Sequence, residues 1–294
     1  MAPAEPLLFL SLWGQPEDLG AAIRLAGVHG FDGLEANLHH PAFTGREPTA
    51  IRGLLERAGL RLIVELVTGG DYVPALEAGP EAQLAELERL LDQARALNPL
   101  RITVITGSDA WPEQQQRRFL EGAVALAGAA SAPVSFETHR SRSLFNPWAI
   151  AELLAQHPGL RLTADLSHWC CVSERLMEPE LAPVRAMAGR VDHIHARVGH
   201  PQGPSVAHPF APEAAAALEA HRRCWQLFLR CQQRRAHGAA TITPEFGPDG
   251  YLPRLPFTAA PVADLLEINV AMARWIRQGA LDPDAASPGT TSAS

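Results

Sequence analysis

Short apolar runs rich in Val, Ile and Leu alternate with longer amphipathic stretches along the chain, and the alternation repeats eight times. The runs Leu7–Trp13, Gly33–Leu38, Leu60–Val67, Arg101–Thr106, Pro133–Thr138, Leu160–Leu166, Val191–Val198 and Thr241–Phe246 read as strands. A segment of helical period follows each of them; in the third unit Leu84, Leu87, Leu90, Leu91 and Ala94 share one face. Pro16, Pro80, Pro112, Pro147, Pro212 and Pro261 mark helix starts, where a missing N–H costs least, and Gly30 closes the first helix. Thr44 to Ala50 and Gly69 to Gly79 read as loops. Eight consecutive βα units predict an α/β protein with a single (β/α)8 TIM barrel. An open nucleotide-binding sheet would need a glycine-rich turn after its first strand, and here that turn is Trp13-Gly14-Gln15-Pro16. The barrel is expected to span residues 1–281, and the small, polar residues 282–294 to form a disordered tail.

Composition narrows the chemistry. Apolar residues make up 47% of the 294 and charged ones 19%, which suits a globular domain with a large core. All 25 basic residues are arginine. Without lysine, Schiff-base catalysis and a P-loop are both excluded. A net charge of −7 with no basic run argues against a nucleic-acid partner. No apolar window is long enough for a membrane span, and the run from Leu7 to Leu12 lacks the basic flank of a signal peptide. Cys170, Cys171, Cys224 and Cys231 contain no CxxC spacing. The expectation is a reduced, cytoplasmic protein.

In a barrel of this kind the chemistry sits at the C-terminal ends of the strands. The last four strands end in Ser-Phe-Glu137-Thr-His139-Arg140, Thr-Ala-Asp165-Leu-Ser-His168-Trp169, His193-Ile-His195-Ala-Arg197 and Thr-Pro-Glu245-Phe-Gly. Ionisable groups are costly in buried strands unless they are paired or bind a metal. Glu137, Asp165, His195 and Glu245 arriving at one mouth would repel, and one divalent cation resolves that repulsion. The oxygen-rich set suits Mn2+, Mg2+ or Co2+, with Zn2+ left open. His193 lies two residues below His195, about 6.6 Å deeper on the same face. Glu137 and Glu245, three strands apart, can flank a substrate carbon, one removing a proton and the other returning it. Metal coordination would stabilise the intervening enediolate.

At these residues the chain resembles the xylose-isomerase-like barrel superfamily, most closely the ketose 3-epimerases and related sugar-phosphate isomerase/epimerase proteins. The resemblance implies that Glu137, Asp165, His195 and Glu245 hold the metal, and that Glu137 and Glu245 are also the acid/base pair. It implies that His168, in Asp165-Leu166-Ser167-His168, contacts substrate, and it places His193-Ile194-His195 on strand seven. Where the ketose epimerases carry a substrate-gripping arginine six residues after the ligating histidine, this chain has Pro201, which leaves Arg197, His200 or Gln202 for that place. The absence of lysine separates it from the hydride-shifting xylose isomerases.

Further candidates surround this set. His139 or Arg140 is expected to bind a substrate oxygen or carboxylate. Glu35 and Glu65 can face inward toward substrate hydroxyls or pair with an arginine. Trp13 and Trp169 read either as an apolar wall for a sugar ring or as core, and the loop from Gly199 to Pro212 as a lid. The expected ligand is a small sugar or polyol-derived molecule, in a protein that could be a homodimer or homotetramer. The function that follows is a metal-dependent sugar isomerase or epimerase. The alternative is a dehydratase-type lyase acting on a keto-inositol or dehydroshikimate-like substrate.

Overall fold

Each apolar run finds its hydrogen-bond partners in the next one along the chain. In the computed structural model, which describes residues 5–15, 17–235, 239–248 and 250–282, eight parallel strands close in sequence order, β8 pairing back onto β1. They are β1 (Leu7–Ser11), β2 (Gly33–Asn37), β3 (Arg61–Val67), β4 (Arg101–Ile105), β5 (Val134–Glu137), β6 (Leu162–Ala164), β7 (Val191–His195) and β8 (Thr241–Thr243). The helices are α1 (Leu19–His29), α2 (Pro48–Arg57), α3 (Pro80–Arg95), α4 (Glu113–Ala129), α5 (Ile150–Gln156), α6 (Leu166–Ser173), α7 (Ala182–Ala188), α8 (Ala215–Arg235) and α9 (Leu265–Trp275). This is a (β/α)8 TIM barrel, and its closure leaves no sheet edge exposed.

Side-chain alternation sorts every strand into two environments. Leu8, Leu10, Leu34, Leu62, Val64, Ile102 and Val104 belong to one continuous apolar core with Leu87, Leu90 and Phe119 of the helices. The opposite faces point down the barrel axis and are largely polar. The Thr103 hydroxyl donates to Thr163 (2.7 Å), which also pairs with Ser135 (2.7 Å). Buried hydroxyls that satisfy one another cost little, so the interior tolerates them.

Local signals explain the boundaries, including those the sequence misplaced. Asp18 caps α1 by accepting the Ala21 N–H, and Gly30 ends it at φ 72°, a left-handed conformation that favours glycine. Residues 48–50, expected in a loop, form the first turn of α2, with Pro48 at its start. Pro261 opens no helix. It pairs with Arg254 in an antiparallel bridge, and α9 starts only after its cap Asp264, which accepts the Glu267 N–H. Most strands stop one to three residues before the end of their apolar runs. Pro244 has no N–H to extend β8, and Asp165 turns the chain from β6 straight into α6. No helix among the described residues is long and apolar enough to cross a membrane. The tail expected over 282–294 lies, beyond Asp282, outside the described residues.

Candidate active site

The strand ends deliver four side chains to one point. Donor atoms of Glu137, Asp165, His195 and Glu245 all lie within 4.8 Å of one another, and all four residues are buried. Three different backbone contexts bring them together. Glu137 and His195 are the last residues of β5 and β7, and Glu245 lies two residues beyond β8. Asp165 is the N-cap of α6, where its Oδ1 accepts the Ser167 N–H at 2.9 Å and its other oxygen pairs with Arg197.

His195 occupies the middle of this group. Its Nδ1 lies 2.8 Å from Glu245 and 3.5 Å from Glu137, yet neither contact has hydrogen-bond geometry. One oxygen of Glu137, Oε2, is likewise buried without a hydrogen-bond partner. The other imidazole nitrogen is fixed from below: Nε2 lies 3.1 Å from Glu35, which also receives His193 (3.0 Å) and the Thr243 hydroxyl. His193 is held in turn by Thr241 (2.8 Å). With Nε2 directed at Glu35, Nδ1 is the ring atom that faces the carboxylates, which is the arrangement of a metal-ligating histidine supported by a second carboxylate.

Burial, reinforced by Glu245 and Asp165, pushes the Glu137 carboxyl up to about 7 against the opposing pull of His195. Glu65, on β3, is pushed up to about 8 by burial and then by Glu245, Glu137 and Glu35. Burial opposes a charge on His195, but Glu245, Glu35 and Glu137 outweigh it and hold its pKa well above the ordinary value. So many buried negative groups with unpartnered donor atoms fit a divalent cation. The mixed set of three carboxylates and one imidazole is a hard, oxygen-rich one.

Above the ligands stands a collar of five rings, each next to the following one. Trp13 lies 5.6 Å from Tyr72, Tyr72 6.3 Å from His139, and His139 3.9 Å from His168. His168 is 6.2 Å from Tyr251, which closes the circle onto Trp13 at 4.9 Å. Gly247 gives Trp13 its place, since a Cβ there would stand 2.0 Å from the indole. Burial above all, with nearby arginines adding to it, holds both His139 and His168 well below the ordinary histidine pKa and therefore neutral. Three arginines border the collar. Arg142 donates to the carbonyls of Thr68 (2.7 Å), Tyr72 (3.0 Å), Gly107 (3.2 Å) and Asp71, and Arg197 is held by Asp165, Ser167 (3.0 Å) and His168 (2.7 Å). Arg140 lies over the Tyr251 ring.

Several sequence readings change here. Neither Glu35 nor Glu65 pairs with an arginine: Glu35 is taken up by the two histidines, and Glu65 accepts from Asn37 at 3.2 Å. Trp169 is fully buried core, its Nε1–H donating to the Leu144 carbonyl, so the indole at the mouth is Trp13 alone. His200 turns onto its own loop, bridging to Gly203 and accepting from the Gln202 N–H. The loop 199–212 contributes no ring to the collar; Val206 returns to Val198, and Phe210 packs on Trp275. Tyr72 and Tyr251 were missed, although they are the chain's two tyrosines and both follow strand ends.

A family model described as the xylose isomerase-like TIM barrel matches residues 23–211. The chain belongs to that family. No curated protein matches it in sequence. Solved structures that resemble this xylose isomerase-like barrel include a protein of the same description from Mycobacterium smegmatis in complex with magnesium. It is 15% identical, with a TM-score of 0.62 over 96% of this chain and 98% of its own. An L-ribulose 3-epimerase is also 15% identical, with a TM-score of 0.62 over 94% and 95%. The probable 3-DHS dehydratase AsbF of Bacillus anthracis is 16% identical, with a TM-score of 0.60 over 92% and 98%. At these identities the likeness is one of fold.

Proposed function

We propose that this xylose isomerase-like barrel is a divalent-metal-dependent isomerase or epimerase of a small sugar or polyol-derived substrate. The observation that carries the reading is the buried set Glu137, Asp165, His195 and Glu245, with its unpartnered His195 Nδ1 and Glu137 Oε2. These four residues would hold the ion, which supplies Lewis-acid polarisation of adjacent substrate oxygens. Glu137 and Glu245 both reach His195 Nδ1, at 3.5 and 2.8 Å, and act as the proton-transfer pair at a carbon next to a carbonyl. His168, 3.6 Å from Glu137, orients a substrate oxygen. The collar, with Trp13 and Tyr251 in edge-to-face contact, keeps bulk water from the exchanging proton. The fold likeness to a ketose epimerase supports this reading.

The test is turnover of a ketose panel in D2O with Mn2+-loaded protein. Glu137→Gln and Glu245→Gln are each expected to abolish deuterium incorporation into recovered sugar, with the circular dichroism of the folded protein retained. A fully active Glu245→Gln variant removes the glutamate pair from the mechanism.

His139 favours a second reading. Its Nδ1–H donates to the Arg140 carbonyl, so its Nε2 lone pair is a further proton acceptor at the mouth. With that group a lyase can abstract a proton next to a carbonyl and expel a β-hydroxyl, in line with the likeness to a dehydratase. Loss of water from substrate, seen by mass, together with inactivity of His139→Asn toward that loss, selects the lyase.

A further inference from the structure

Of the three guanidiniums at the mouth, two are tied to protein groups. Arg142 spends its donors on backbone carbonyls, and Arg197 is tied to Asp165, Ser167 and His168. Arg140 differs. Among the described residues no carboxylate lies within ion-pair distance of it, and its side chain makes no hydrogen bond. Its guanidinium carbon instead stands 4.8 Å from the centroid of Tyr251, a ring that also carries Arg197 at 4.5 Å. Two like charges against one aromatic ring repel, and the ring's quadrupole offsets only part of that cost.

The backbone presents this side chain deliberately. His139 donates to the Arg140 carbonyl, the Asp109 N–H donates to the Ser141 carbonyl, and Ser141 has φ 65°, a conformation unusual for a non-glycine residue. A loop pinned on both sides of Arg140 fixes where the guanidinium begins. It stands half-buried at the rim, while the carboxylates lie below at the metal-ligand set. A neutral sugar needs donors and acceptors together at each hydroxyl. The planar fork of an arginine with no acid beside it among the described residues suits an oxyanion better.

We infer that the substrate carries an anionic group, a carboxylate or a phosphate, which Arg140 binds at the rim. The inference rests on the proposed function insofar as the strand-end cluster is the substrate site. It adds an orientation. The carboxylates below repel the anion, so the charged end faces outward to Arg140 and the carbonyl and hydroxyl end faces the four ligand residues. A substrate with one charged end then has a single productive orientation, which selects the carbon presented to Glu137 and Glu245.

The experiment is calorimetric titration of the full-length Mn2+-loaded protein with two anionic probes and their neutral counterparts, quinate against myo-inositol and ribose 5-phosphate against ribose. At least one anion is expected to bind tenfold or more tightly than its counterpart. Arg140→Gln should remove that advantage and Arg140→Lys should restore part of it, while Mn2+ affinity stays unchanged in both. Preference for quinate identifies a carboxylate, and preference for the sugar phosphate identifies a phosphate. The inference is overturned if neither anion outperforms its neutral counterpart, or if Arg140→Gln binds the anion as the parent does. Failure of the parent to bind Mn2+ at all would instead count against the metal site, since the contrast between anion and neutral probe is read separately.

Discussion

Glu35 governs which face of His195 is available. It accepts from His193 and His195 and from the Thr243 hydroxyl, all from inside the barrel, and the two imidazoles hold its carboxyl far below the usual range despite burial. A glutamine in its place would keep the shape but turn an amide N–H toward one of the two imidazoles. His195 would then lose the acceptor that commits its Nε2 as the donor and leaves Nδ1 free for a ligand. Loss of such a supporting contact typically weakens metal binding by about 10–100-fold. Glu35→Gln is therefore expected to bind Mn2+ more weakly by a factor in that range, measured by titration against a fluorescent chelator, with an unchanged circular dichroism spectrum. Neither the pairing nor its purpose is legible along the chain, because Glu35 and the two histidines lie 158 and 160 residues apart. Strand alternation gives each residue a face but not a partner.

Between elements, the loops that shape the mouth are fastened by one side chain. Arg142, just past β5, is fully buried and ties the loop after β3 to the loop after β4 through the carbonyls of Thr68, Asp71, Tyr72 and Gly107. Tyr72 owes its place in the collar to this fastening. Arg142→Met leaves at least two buried carbonyls without donors, at about 1–3 kcal/mol each. The expected result is a melting temperature lower by about 4 °C or more, together with greater amide exchange over residues 68–74. Arg142→Lys, with fewer donors and no planar fork, should fall between the two. At this scale the sequence was readable where a local rule decides the outcome. Gly30, Pro80 and Pro112 marked helix ends because each acts through its own backbone. Pro48 and Pro261 were misread because the same residue type serves equally well in a helix start or an extended bridge, and the neighbouring chain decides between them. The grouping of Asp165 and His168 could be anticipated from their spacing. That Asp165 caps a helix and pairs with Arg197 could not, since both depend on where β6 stops.

Across the whole barrel, charge is divided along the axis. At the N-terminal end of the strands Arg101, Arg161 and Arg235 converge on Asp192, while the C-terminal end gathers Glu65, Glu137, Asp165 and Glu245 around His195. The acidic end has Arg197 as its principal internal counter-charge, and Arg197 reaches Asp165 alone of these. Carboxylates buried under a collar of rings lose most of their hydration, so folding without a cation retains part of their mutual repulsion. A bound ion removes that cost in the folded state and finds no comparable site in the unfolded chain, so its binding energy appears as stability. By mass action, an ion at a hundred times its dissociation constant adds about 2.7 kcal/mol. For a chain of this size the melting temperature should rise by roughly 5–10 °C when Mn2+ is added to chelator-treated protein. Calorimetric scans with and without Mn2+ check this, and the same scans on Asp165→Asn separate the site from surface binding. That variant should keep little of the increment, whereas Glu213→Gln, on the surface before α8, should keep all of it. An equal increment in Asp165→Asn would place the stabilising ion elsewhere on the barrel.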